Sequence, residues 1–138
     1  MSEIQPNHSF TQEEVNALVP KIEEHLENFW AWRQNAQEIL QELRKFTQNG
    51  DLTQPSEIAH HQIRQAQARF LLELAQKEMK ALFDLGGQVK DIEIGLMDFF
   101  SKINDEEIFL CWKYGEKKVR HWHKTDEGFS ERKLIDRK

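Results

Sequence analysis

The chain has 138 residues, 38% of them hydrophobic, a formal net charge of −5 and a single cysteine, Cys111. That is the size of one domain able to bury a core without disulfide staples, and one cysteine rules out an intramolecular disulfide and fits a reducing cytoplasm. The start, MSEIQPNHSF, has no basic and apolar leader pattern, and no run approaches the roughly 18 apolar residues of a membrane span, so a soluble cytoplasmic protein is expected.

The first helix start is marked by Thr11 and Glu14, spaced as a capping box, with Phe10 and Val15 placed as a hydrophobic staple. Apolar residues then recur every seven positions, at Val15, Ile22, Phe29, Ala36 and Leu43 and at Leu18, Trp32, Ile39 and Phe46, with His25 as the one polar interruption. Pro20 denies the carbonyl of Asn16 its hydrogen bond, so a kink or a helix restart is expected there. The helix should end near Gln48, with Gly50 as its left-handed cap.

A second helix is expected from about Ser56 to Leu85, with Gly86 and Gly87 ending it. In its second half Phe70, Leu71, Leu72, Leu74, Met79, Leu82 and Phe83 cover well over half the circumference. Two long helices joined by a short loop predict an antiparallel hairpin over residues 11–85, about 45–55 Å long at 1.5 Å per residue. Shorter β-branched and aromatic runs follow: VKDIEIGLMDFF, EIFLCWKY and KVRHWHK.

These runs predict three antiparallel strands over residues 88–124, ahead of a C-terminal tail, 125–138. The fold class is therefore α+β in one domain, 1–138: a long antiparallel two-helix hairpin followed by a three-stranded β-meander packed where the helices start and finish. A two-residue turn at Gly115 and Glu116 would pair Trp112 with Val119, Leu110 with His121 and Ile108 with His123 on one face. Cys111 would then lie on the opposite face.

Histidines two apart on a strand point the same way, so His121 and His123 are candidate metal ligands, with a third from Asp98 or Glu116. Two histidines alone are an incomplete set, and a solvated or hydrogen-bonded pair is the simpler reading, so no metal is assigned. Cys111 lacks a nucleophile signature and reads as a buried structural thiol. In the hairpin, His25 and Glu78 interrupt the apolar faces at heights that should meet, predicting a buried pair that sets the helix register or, alternatively, works as an acid and base.

LGGQVKD runs from helix to strand, the reverse of a phosphate loop, and no cofactor is expected. Residues 1–85 carry 8 Lys/Arg against 13 Asp/Glu and residues 86–138 carry 11 against 11. Neither part has the basic excess of a nucleic-acid binder. RNA binding would have to rest on Lys117, Lys118, Arg120 and Trp122.

FTQEEVNALVP, GGQVKDIEIGLMDFF and FLCWKYGEKKVRHWHKTDEGFSER, in this order, resemble an uncharacterised bacterial family catalogued as domain of unknown function 2203. Its pattern falls on Gly87, Val89, Lys90, Asp91, Gly95, Leu96, Asp98, Phe99, Cys111, Trp112, Gly115, Glu116, Trp122, His123, Gly128, Phe129 and Arg132. The resemblance implies no established reaction. It does gather Lys90, Asp91, Asp98, Glu116, His123 and Arg132 as a candidate polar site on the sheet, where Arg132 and Lys90 could hold an anionic ligand.

The leading expectation is a non-catalytic interaction or scaffold protein, acting through the helix faces on a protein partner or a second copy of itself. The rival is a small-ligand or enzymatic site on the sheet, centred on His123 and Arg132.

Overall fold

The computed structural model describes residues 8–48 and 52–135. Helix α1 spans Gln12–Gln48 and helix α2 spans Pro55–Asp84. Five strands follow, β1 (Gln88–Asp91), β2 (Leu96–Ile103), β3 (Glu106–Lys113), β4 (His121–Lys124) and β5 (Lys133–Leu134), with a 3-10 turn at Phe129–Glu131 before the last. They form one antiparallel sheet in the order β1-β2-β3-β4-β5.

The helix boundaries follow from local chemistry. Thr11 and Glu14 form the capping box, Thr11 N–H donating to Glu14 Oε1 at 2.9 Å and Glu14 N–H to Thr11 Oγ1 at 3.0 Å. Phe10 and Val15 beside it are buried. Helix α1 runs unbroken through Pro20, so the expected restart does not occur. The Gly50 cap lies outside the described residues. Pro55 opens α2 at a first-turn position, where its missing N–H costs nothing.

The chain divides into two compact units: residues 8–26 with 80–135, and Glu27–Met79. In the second, Ile39, Leu43 and Ala68 form a small buried cluster with Leu71 against it, and Arg64 donates to Glu42 at 2.8 Å. These pairings descend in α2 as they ascend in α1, the antiparallel arrangement that a short connection requires.

In the first unit the start of α1 is tied to the sheet. Phe10 N–H donates to the Phe100 carbonyl at 2.8 Å, Ser101 Oγ–H to the Phe10 carbonyl at 2.5 Å, and the Phe10 and Phe99 rings meet edge to face at 5.2 Å. Val15, Val19, Ile22 and Leu26 are buried here. The buried stripe thus runs through Val19 and Leu26, while Leu18 and His25 are half-buried.

Three sequence expectations need correction. The first expected strand is two, because Asp91 Oδ1 accepts the Glu93 N–H at 3.0 Å and Gly95 at φ 69° turns the chain. The tail supplies β5, so the meander has five strands rather than three and extends beyond residue 124. The third concerns register, since Cys111 pairs with His121, Leu110 with Trp122 and Phe109 with His123.

No two-residue turn forms at Gly115 and Glu116; residues 114–120 connect β3 to β4. The start of α1 takes the polar groups of Val119: its N–H donates to Asn16 Oδ1 at 2.8 Å and its carbonyl accepts from Gln12 Nε2 at 3.0 Å. Val119 is drawn out of the ladder, and the remaining pairing shifts by one residue. Such a slip moves every β4 side chain to the other face.

Gly87 fits a close approach to β2. A Cβ built there would lie 2.6 Å from Met97 Cε and 2.7 Å from the Phe99 ring, both fully buried. Gly87→Ala should therefore lower stability by about 1–3 kcal/mol as an overpacking change, read as a lower urea midpoint with an unchanged m-value.

Candidate functional site

Strand alternation and the observed register decide which side chains share a face. Asp98 on β2 pairs with Cys111 on β3, which pairs with His121 on β4, so all three point to one side with Phe109 and His123. Phe99 and Ser101, which meet Phe10, mark the opposite, helix-facing side. Cys111 therefore shares a face with His121 and His123, contrary to the sequence expectation, because of the one-residue slip.

At the centre lies a buried pair. His123 Nε2 is 3.0 Å from Asp98 Oδ2, with the two side chains 4% and 3% exposed. The other ring nitrogen, Nδ1, is 2.8 Å from the Lys124 carbonyl oxygen. A carbonyl only accepts, so Nδ1 carries a proton, and a carboxylate facing Nε2 calls for a second. With a donor needed at each ring nitrogen, the contact is an imidazolium–carboxylate pair.

Asp98 Oδ1 is buried with no hydrogen-bond partner, and so is His121 Nδ1 on the same face. Beside Asp98, burial first and the carboxylate charge second push the Cys111 thiol up to about 12, against the opposing pull of Arg132. Cys111 is a neutral thiol here. One carboxylate oxygen of Asp98, Cys111 Sγ and one ring nitrogen of His123 lie within 4.8 Å of one another.

A second ion pair closes the edge of this cluster. Arg132 Nη2 donates to Glu116 Oε2 at 2.7 Å and Nη1 approaches Oε1 at 3.5 Å, while Nη1 lies 3.9 Å from Cys111 Sγ. Burial alone would lower Arg132, but the hydrogen bond and charge of Glu116 outweigh it and leave it above its ordinary value. Glu116 is itself fixed, its Oε1 accepting the Lys113 N–H and its carbonyl accepting Trp112 Nε1–H, both at 2.9 Å.

His121 Nδ1 is 3.9 Å from Glu116 Oε2, too long for a hydrogen bond. Burial first, and the charge of Arg132 second, hold His121 below its ordinary value.

Of the six polar candidates, Asp98, Glu116, His123 and Arg132 come together. Lys90 and Asp91 are exposed on β1, with Asp91 engaged in its own turn. His121 and His123 share a face, yet the group with metal-ligand spacing takes His123 with Asp98 and Cys111. His25 and Glu78 are half-buried, on α1 and α2 respectively. The member that sequence reasoning discounted is Cys111, and only the loss of Val119 from the ladder reveals its place.

The family described as uncharacterized conserved protein (DUF2203) matches residues 8–135, and the chain belongs to that family. No curated protein and no solved structure matches the chain. Among the described residues no helix is long and apolar enough to cross a membrane.

Asp98→Ala leaves a buried imidazole without its carboxylate and should cost about 3–5 kcal/mol. His123→Ala should cost a similar amount, and the double variant less than the sum, as a denaturation cycle at neutral pH would measure. Cys111 should resist iodoacetamide in the folded protein and react promptly in urea, followed by mass spectrometry.

Proposed function

We propose that the chain is a non-catalytic interaction module of the cytoplasm that associates through its helical hairpin, with a second copy of itself as the first partner to test. The observation behind this reading is the imbalance of apolar surface over Glu27–Met79. Among the described residues there, Ala36, Ile39, Leu43, Ala68 and Ala75 are the buried hydrophobics, and three of these five are alanines. Leu40, Phe46, Ile58, Ile63, Phe70 and Leu72 are 37–59% exposed.

Ile63 and Phe70 stand seven residues apart on α2 and so share one stripe, each offering roughly 1.5–3 kcal/mol on full burial. A two-helix contact cannot use such surface, whereas a bundle with a partner's helices can.

The rival reading, a ligand or enzymatic site at His123 and Arg132, has less support. Both cations already hold carboxylates, Asp98 and Glu116, so neither presents an open charge to an anion. RNA binding is weaker again. Lys117, Lys118 and Arg120 are exposed, but Lys133 Nζ sits 4.8 Å over the Trp122 ring and occupies one of its two stacking faces. A lone buried cysteine and the absence of a membrane-crossing helix among the described residues are compatible with a cytoplasmic setting.

The paired change Ile63→Lys with Phe70→Lys decides between them. Sedimentation at micromolar concentration should find the unaltered chain self-associated and the variant monomeric with unchanged helicity. A monomeric unaltered chain would remove self-association. If it also captures no protein from a native lysate that the variant fails to capture, the interaction reading falls.

A further inference from the structure

We propose that Asp98, Cys111 and His123 form a binding site for a divalent transition metal, best suited to zinc, that clips β2, β3 and β4 together. This goes beyond the interaction reading and stands or falls without it. The three residues come from three adjacent strands, on one face, and are 2%, 0% and 3% exposed. They supply oxygen, sulfur and nitrogen, the donor types that zinc accepts together, and no hard-cation site would include the thiolate.

Two observations outside the donor cluster's own hydrogen bonds point to a ligand. Among the described residues, Asp98 Oδ1 is buried with no N–H or O–H donor, and the one side chain that acts on this carboxylate besides His123 is the Cys111 thiol, itself a donor atom of the cluster. His123 Nδ1 faces the Lys124 carbonyl at 2.8 Å, which leaves Nε2 as the metal-facing nitrogen and fixes the ring as a backbone carbonyl does for ligating histidines.

The spacing is workable. The three donor atoms lie within 4.8 Å of one another and Nε2 is 3.0 Å from Oδ2. Zinc bonds of about 2.0–2.3 Å would require side-chain shifts on the order of 1 Å. An unpaired Arg132 would repel a cation here. It is neutralised by Glu116 at 2.7 Å, and its Nη1, 3.9 Å from Cys111 Sγ, is placed to donate to a coordinated thiolate, a far better acceptor than a thiol.

Charge balances on binding. The incoming M²⁺ replaces the Nε2 proton of the imidazolium and the thiol proton of Cys111, releasing two protons and leaving a neutral centre of one imidazole, one carboxylate and one thiolate. A fourth position stays for water or a small ligand.

The test uses the full chain, reduced and stripped with a chelator, then titrated with Co²⁺ and back-titrated with Zn²⁺. The expected result is one Co²⁺ per chain with tetrahedral visible bands and a thiolate-to-cobalt charge-transfer band, both erased by Zn²⁺. Cys111→Ala keeps the Asp98–His123 pair and should fold, as circular dichroism would verify. It should lose the charge-transfer band and weaken Co²⁺ binding by more than about 100-fold, beyond what loss of a supporting contact costs. His121→Ala should keep both.

Should Cys111→Ala fail to fold, the charge-transfer band of the unaltered chain decides alone. No stoichiometric uptake by the folded chain, or uptake that lacks the thiolate band, would overturn the site.

Discussion

The imidazole of His123, held between the Asp98 carboxylate and the Lys124 carbonyl, ties the middle of the sheet to one arrangement. Slipping β4 by a single residue would carry the ring to the opposite face and leave Asp98 buried and charged without a partner. The pair therefore specifies register at least as much as it adds stability. From that register the rest of the site follows: Cys111 turns to the same side, and Arg132 approaches its sulfur while gripping Glu116 in the β3–β4 connection.

The start of α1 enforces the same register from outside the sheet. Gln12 and Asn16 satisfy both polar groups of Val119, so the connection cannot tighten into a two-residue turn without stranding them. Helix capping, loop length and strand pairing are thus one linked constraint in the unit of residues 8–26 and 80–135. The other unit, Glu27–Met79, is built differently, with small side chains inside and larger ones outside.

Much of the fold was legible because it depends on local signals. The capping box at Thr11 and Glu14 and the glycine break after α2 act within a few residues and appear where expected, and the β-branched runs supply β1 to β4 with the first run divided in two. The division of the first strand run could have been read from Gly95 beside the Asp91 turn. The register could not, because it depends on Asn16 and Gln12 reaching more than a hundred residues along the chain to Val119. With the register went the placement of Cys111. Asp98, Glu116, His123 and Arg132 were identifiable as a group through the family pattern, while Lys90 and Asp91 belong to the exposed strand β1.

His123 faces an acceptor at each ring nitrogen, the Lys124 carbonyl and the Asp98 carboxylate, and so donates from both in the metal-free protein. The most direct measurement is the nitrogen-15 chemical shift of each ring nitrogen at neutral pH, in chelator-treated protein with labelled histidine, assigned with His123→Gln. Two protonated-type nitrogens are expected on His123, with the proton on Nε2 protected from solvent exchange. A neutral ring with an unprotonated Nε2 would contradict it, placing the shared proton on Asp98 or the two side chains apart.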